Sequence, residues 1–111
     1  LRRRGSPVDI TVQAHQVEVS SFLRTRAERL ILRLASLLKH PVDAVLRFEQ
    51  DGGGGRRVEI VLHTPRKRSL VGAAVNRNPG PALAEAGRRV EAQILRLKRP
   101  ASSRRKPEAG A

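Results

Sequence analysis

Apolar and polar residues alternate at the start of the chain, then recur every three or four positions, then alternate again. Val8, Ile10, Val12 and Ala14 are separated by Asp9, Thr11, Gln13 and His15, the period-2 signature of a strand with one buried face. Ser20 and Ser21 follow as candidate N-caps, because a serine hydroxyl can accept a hydrogen bond from a free backbone N–H of a first helical turn. Leu23, Ala27, Leu30, Leu34 and Leu37 or Leu38 then form one stripe of an amphipathic helix. Lys39 suits the negative end of its dipole, and Pro41 stops it.

Alternation resumes with Ala44, Leu46 and Phe48 and again with Val58, Ile60 and Leu62. The glycine run Gly52 to Gly55 between them reads as the loop of an antiparallel hairpin. A further apolar run, Leu70 to Val75, follows the basic turn Pro65-Arg66-Lys67-Arg68. Asn78-Pro79-Gly80-Pro81 marks a helix start, since proline is tolerated in a first turn. Leu83, Ala86, Val90, Ile94 and Leu97 make the second helical stripe, closed by Pro100. Gly87 inside it costs about 1 kcal/mol relative to alanine. The expected fold is α+β: a two-layer β-α-β-β-β-α domain, its largely antiparallel four-stranded sheet carrying both helices on one face, in the manner of a double-stranded-RNA-binding fold.

The pattern places the domain at residues 8–99. Residues 1–7 read as a flexible basic arm and residues 100–111 as a disordered basic tail, because neither holds enough large apolar side chains to offset the entropy of ordering. Leu1 is not a start methionine, and the arginine run after it is too short to argue a transit-peptide remnant.

Composition sharpens the picture where charge is concerned. The chain of 111 residues carries 23 Lys and Arg against 10 Asp and Glu, a formal +13. The predicted domain alone holds 17 basic and 9 acidic residues, a net +8, so the excess does not belong to the tails. Such a balance points to a polyanionic partner. No apolar run approaches the roughly 20 residues of a membrane span, and no membrane partner is expected. With no cysteine present, disulfides, thiolate metal sites and cysteine nucleophiles are excluded.

On the first helix Arg26, Arg29 and Arg33 fall at i, i+3 and i+7 beside the apolar stripe, with Arg24 nearby. On the second, Arg89, Gln93 and Arg96 form a similar row, accompanied by Arg88, Lys98 and Arg99. Arg66, Lys67 and Arg68 make a third cluster. Charged rows commonly just solvate a helix. Here Glu28, Glu85 and Glu91 are the only acids on the two helices, too few to balance the arginines by ordinary pairing, so a nucleic-acid surface is the better reading. Arginine also contacts phosphate in a bidentate way that lysine does not.

Only Phe22 and Phe48 are aromatic. Phe22 is expected at the helix edge and Phe48 in the core, leaving no platform for base stacking and directing binding to phosphates and structured-RNA shape. Gly52 to Gly55 satisfies a GXXG pattern formally, yet it joins two strands, where a KH loop joins two helices, and it lacks the lysine of a P-loop. Catalysis finds little support. His15, His40 and His63 have no motif spacing, although His15 and His63 would approach one another if their strands were neighbours. Asp9, Glu49 and Glu59 lie on the strand faces opposite the core, where solvated or cross-strand roles outweigh acid–base work. No metal site, cofactor or enzymatic activity is expected.

The run from Val8 to Arg24, VDITVQAHQVEVSSFLR, and the run from Ala82 to Lys98, ALAEAGRRVEAQILRLK, together resemble the opening strand, turn and first helix and the final helix of the ribosome hibernation-promoting factor family. That family includes the ribosome-associated inhibitor and the sigma modulation protein. The element order agrees, and the resemblance spans roughly residues 8 to 99. It implies a protein that binds the small ribosomal subunit and its rRNA in the channel of mRNA and the tRNA anticodon arms, competing with both and silencing ribosomes under stress. By position, Arg24 matches the family's helix-opening arginine, and Arg89, Gln93, Arg96 and Lys98 match basic and glutamine positions of the final helix. Arg26, Arg29 and Arg33 come from the helical-face argument alone. The start of the second helix, Asn78 to Pro81, lacks the family's acidic and aromatic residues.

The resemblance further implies a cytoplasmic, bacterial protein, with an organellar home as the alternative, and a monomer when free. Long-form members continue into a second, ribosome-dimerising domain, so a short form, a separated N-terminal domain or a divergent relative is expected. Two other readings of the same surface stand beside it: a structural or double-stranded-RNA-binding module without inhibitory activity, and a basic module that meets an acidic protein.

Overall fold

A computed structural model of the chain describes residues 8–38, 42–64 and 68–98. The predicted arm and tail, and Arg66, Lys67 and Arg99 among the candidate residues, lie outside them. The elements run β1 (Val8–His15), α1 (Ser21–Leu38), β2 (Val42–Gln50), β3 (Arg56–His63), β4 (Ser69–Asn76) and α2 (Pro79–Lys98), the order the sequence predicts. The sheet order is β1-β2-β3-β4. β1 and β2 run parallel, while the β2–β3 and β3–β4 pairs are antiparallel. A parallel neighbour needs a crossover, and α1 supplies it.

Local signals account for the joints. The Ser20 hydroxyl accepts a hydrogen bond from Leu23 N at 3.0 Å, so Ser20 is the cap of α1. In the β2–β3 hairpin Asp51 N donates to the Gly55 carbonyl at 2.8 Å, and Gly54 N returns to the Asp51 carbonyl at 3.0 Å. Gly54 sits at φ 92°, which a side chain would oppose.

The core lies between the sheet's inner face and the two helices. β2 contributes Val42, Ala44, Leu46 and Phe48, and β3 contributes Val58, Ile60 and Leu62, all buried. β1 is an edge strand, and its alternation fades: Val8 is buried, Ile10 and Val12 half-buried, Ala14 exposed. Each helical stripe is rotated slightly from its predicted line. α1 buries Leu23, Ala27, Ile31, Leu34 and Ala35, leaving Leu30 half-buried toward α2. α2 buries Ala82, Leu83, Ala86, Gly87, Val90 and Ile94, and Leu97, expected inside, is 40% exposed in the last turn.

Two glycines set how closely the layers approach. A Cβ on Gly72 of β4 would lie 2.5 Å from the Ala86 carbonyl oxygen and 2.8 Å from Val90 Cγ2. A Cβ on Gly87 would lie 2.8 Å from Leu30 Cδ2. Gly72 thus lets the α2 backbone rest on the sheet, and Gly87 lets α1 close on α2. The helix-propensity cost of Gly87 is the consequence of that second contact.

Candidate nucleic-acid interface

α1 and α2 lie side by side, and their facing flanks bring together cations that sequence periodicity assigns to separate rows. Arg26 and Arg33 of α1 and Arg88 of α2 line one groove of about 180 Å³ whose floor includes Leu30 and Leu83. Arg29, between Arg26 and Arg33 in the row, is exposed. Arg24, Arg29 and Arg96 are exposed and engage in no ion pair among the described residues. Arg68 is exposed beyond β3, at the far end of its turn from Thr64.

The remaining candidates also have work inside the fold. Arg33 Nη2 meets Glu91 Oε1 at 3.1 Å, tying α1 to α2. Glu85 takes both Arg88, at 2.7 Å, and Arg89, at 3.3 Å. The Arg88 hydrogen bond first, its charge next and Arg89 after them hold the Glu85 carboxyl below its ordinary value. One acid thereby faces two guanidiniums, and the pair keeps a net positive charge. Lys98 Nζ donates to the Leu37 carbonyl at 2.8 Å, filling an acceptor at the C-terminal end of α1.

Gln93 and Arg89 close the free edge of β4. The Gln93 amide donates to the Val71 carbonyl at 2.6 Å and accepts from Val71 N at 3.2 Å. Arg89 donates to the Ala73 carbonyl. One helix thus stands in for a fifth strand on an edge that would otherwise invite pairing.

The opposite face of the sheet has different electrostatics. Among the described residues, Asp9, Asp43, Glu49 and Glu59 share it with only Arg47 and Arg57 as charged side chains. Arg47 donates to Gln13 at 3.0 Å and to Glu59 at 2.8 Å. Arg57 lies 3.6 Å from both Glu49 and Glu59. The register sets Arg47 opposite Glu59 and Arg57 opposite Glu49, the cross-strand pairing expected of Glu49 and Glu59. The helices carry eight basic residues against three acidic ones. The domain is therefore polarised, cationic on the helix layer and slightly anionic on the sheet.

The structure decides one conditional expectation and sharpens another. His15 lies opposite Glu49 and His63 opposite Asp43, at opposite ends of β2. Their strands are separated by β2, so the two imidazoles do not meet; His63 Nδ1 hydrogen-bonds with the Ser69 hydroxyl at 3.1 Å. Phe48 is buried as expected, but Phe22 is 71% exposed. It immediately precedes Leu23, the first residue of α1 to enter the core, and a rotation of roughly 100° per helical residue turns its ring outward. Phe22 is the surface feature that sequence reasoning missed, and its signal was its place just outside the apolar stripe. Among the described residues no group of three or more His, Asp or Glu gathers as a metal site, and no helix is long and apolar enough to cross a membrane.

Residues 10–101 match the profile of the sigma 54 modulation protein / S30EA ribosomal protein family. The chain belongs to this family. No curated protein matches the chain. Among solved structures it is similar to the Thermus thermophilus Protein Y N-terminal domain, with 20% identity and a TM-score of 0.69, over 80% of this chain and 98% of that one. It is also similar to a ribosomal subunit interface protein from Coxiella burnetii, with 16% identity and a TM-score of 0.68, over 81% and 97% of the two chains. At these identities the likeness is one of fold. In this S30EA-family chain, the second-helix positions Arg89, Gln93 and Lys98 also serve the domain's own edges and ends. Arg24, Arg26, Arg29 and Arg96 are the helix cations that no acid offsets among the described residues.

Proposed function

We propose that the protein is a ribosome-binding translation silencer that occupies the mRNA and tRNA decoding channel of the small subunit, with its helix layer against rRNA phosphates. The observation that carries this reading is the polarity of the domain: arginines from both helices converge on one groove, while Arg47 and Arg57 on the outer face of the sheet are spent on glutamates. Family membership supports association with the ribosome, and the Coxiella burnetii neighbour is itself named a ribosomal subunit interface protein. The action is occlusion and requires no bond to be made or broken. Phosphate contacts by n arginines release about n counterions, so affinity falls steeply with salt.

Co-sedimentation with small subunits across a salt series, with and without tRNA, tests the proposal. Binding should weaken steeply with salt and be lost when tRNA fills its sites. Binding indifferent to tRNA would instead favour a structural RNA-binding module. Binding that survives ribonuclease treatment of the subunits would favour an acidic protein partner. Arg26→Glu with Arg29→Glu should remove binding and leave the circular dichroism spectrum intact, since neither side chain joins an ion pair among the described residues.

A further inference from the structure

Phe22 is an anomaly on a cationic surface. Its phenyl ring is 71% exposed, so it buries little of its area in the fold, and it lines a depression of about 410 Å³ between the first turns of α1 and α2. Leu23, Pro79 and Pro81 give that depression apolar walls, and Asn78 adds an amide. Arg26 stands over the Phe22 ring, its guanidinium carbon 6.0 Å from the ring centroid, close enough for a cation–π contact. Arg26 also lines the inter-helix groove with Arg33 and Arg88, so the depression and the cationic groove are continuous through one side chain. Glu18 is the only acid at the rim, and neither helix has an acidic residue in its first turn.

We propose that this depression takes one unpaired nucleobase of an RNA strand, stacked on Phe22, while the adjoining phosphates run into the groove of Arg26, Arg33 and Arg88. The inference rests on the reading that the helix layer meets RNA, and it adds a preference for an unpaired nucleotide over a continuous duplex. A flat aromatic face accepts any base, so the preference is for an unstacked base and not for its identity. The volume lies within the range of small-ligand pockets. Arg26 serves both halves of the nucleotide, facing the ring on one side and the phosphate groove on the other.

The test compares a perfect hairpin with the same hairpin carrying one additional, bulged 2-aminopurine, each bound to the full chain. Phe22→Ala should weaken the bulged RNA by about 5- to 150-fold, the range seen for loss of one stacked base. It should leave the perfect hairpin and both salt slopes unchanged. Because the chain has no tryptophan, Phe22→Trp creates a single fluorophore, which should retain the preference and be quenched by the bulged RNA. The exposure of Phe22 makes misfolding an improper explanation, and thermal melting of both variants checks this. Equal loss on both RNAs, or no loss on either, would overturn the stacking site. Loss of binding to small subunits with unchanged RNA binding would overturn it in favour of a protein contact. Arg26→Glu with Arg29→Glu is the control for the underlying reading: if it binds both RNAs normally, the RNA-facing surface itself is wrong. If it abolishes binding while Phe22→Ala has no effect, only the stacking inference fails.

Discussion

Replacing Gly72 with alanine should separate α2 from the sheet. The added Cβ would begin 2.5 Å from the Ala86 carbonyl oxygen, where ordinary contact starts at 3.4 Å. The obstructing atom belongs to helix backbone, so no rotamer change relieves it, and α2 must retreat by about 0.9 Å at that turn. Overpacking of this kind costs about 1–3 kcal/mol. The same retreat stretches the Gln93 and Arg89 bonds to β4, and weakening them adds about 1 kcal/mol. Alanine returns about 0.4–1 kcal/mol by restricting the unfolded chain. The net loss is about 1–4 kcal/mol, which for a domain of this size lowers Tm by about 4–30 °C. Thermal unfolding of the full chain followed by far-ultraviolet circular dichroism measures it. Gly52→Ala is the control, because nothing lies within 4 Å of its added Cβ, and its Tm should stay within about 2 °C of the parent. A Gly72→Ala protein melting within about 3 °C of the parent would refute the claim that α2 rests on the sheet through that glycine.

Gly87→Ala should change stability by less than about 1 kcal/mol, because the gain in helix propensity offsets the crowding of the movable Leu30 methyls; urea titration measures it. Gln93→Ala should cost about 1–2 kcal/mol for two lost hydrogen bonds and unmask the β4 edge. Sedimentation velocity should then detect concentration-dependent self-association that the parent lacks. Glu85, held below its ordinary value of 4.5 by Arg88 and Arg89, stabilises the folded state above that value and loses its contribution as pH falls through and below it. Glu85→Gln should therefore lower Tm slightly on the neutral plateau and converge with the parent at strongly acid pH, flattening the acid limb of a Tm-against-pH curve.

What the sequence disclosed and what it hid divide along chain distance. The β2 and β3 alternation, the Ser20 cap and the glycine hairpin depend on residues within a few positions of one another, and all were readable. The rows of arginine on each helix were also readable, since a helix converts spacing into a face. Their meeting across the helices was not. Gln93 reaches back 22 residues to Val71 and Lys98 reaches back 61 residues to Leu37, so both read as free polar side chains until packing supplies their partners. Leu30 and Ile31 are equally apolar neighbours, and only the approach of α2 over Gly87 decides which of them enters the core. Phe22 was placed at the helix edge, but how far its ring stands out was not readable for a related reason. Hydrophobicity predicts burial, but a first-turn residue beside Leu23 is turned outward by helix geometry whatever its own preference.

The paired glutamates and arginines on the outer sheet bear on valency. A molecule with its unbalanced cations on one side experiences a turning force in the field of a polyanion and docks in one orientation. Once seated it covers those cations and shows the next polyanion a surface whose two arginines are already held by Glu49 and Glu59. Under the proposed function the domain would be monovalent toward RNA, capping one site without bridging two strands. A protein as basic as this would otherwise condense nucleic acid wherever it met it. Under the proposed function, concentrating the unbalanced helix charge on one layer would let it plug one channel at a time.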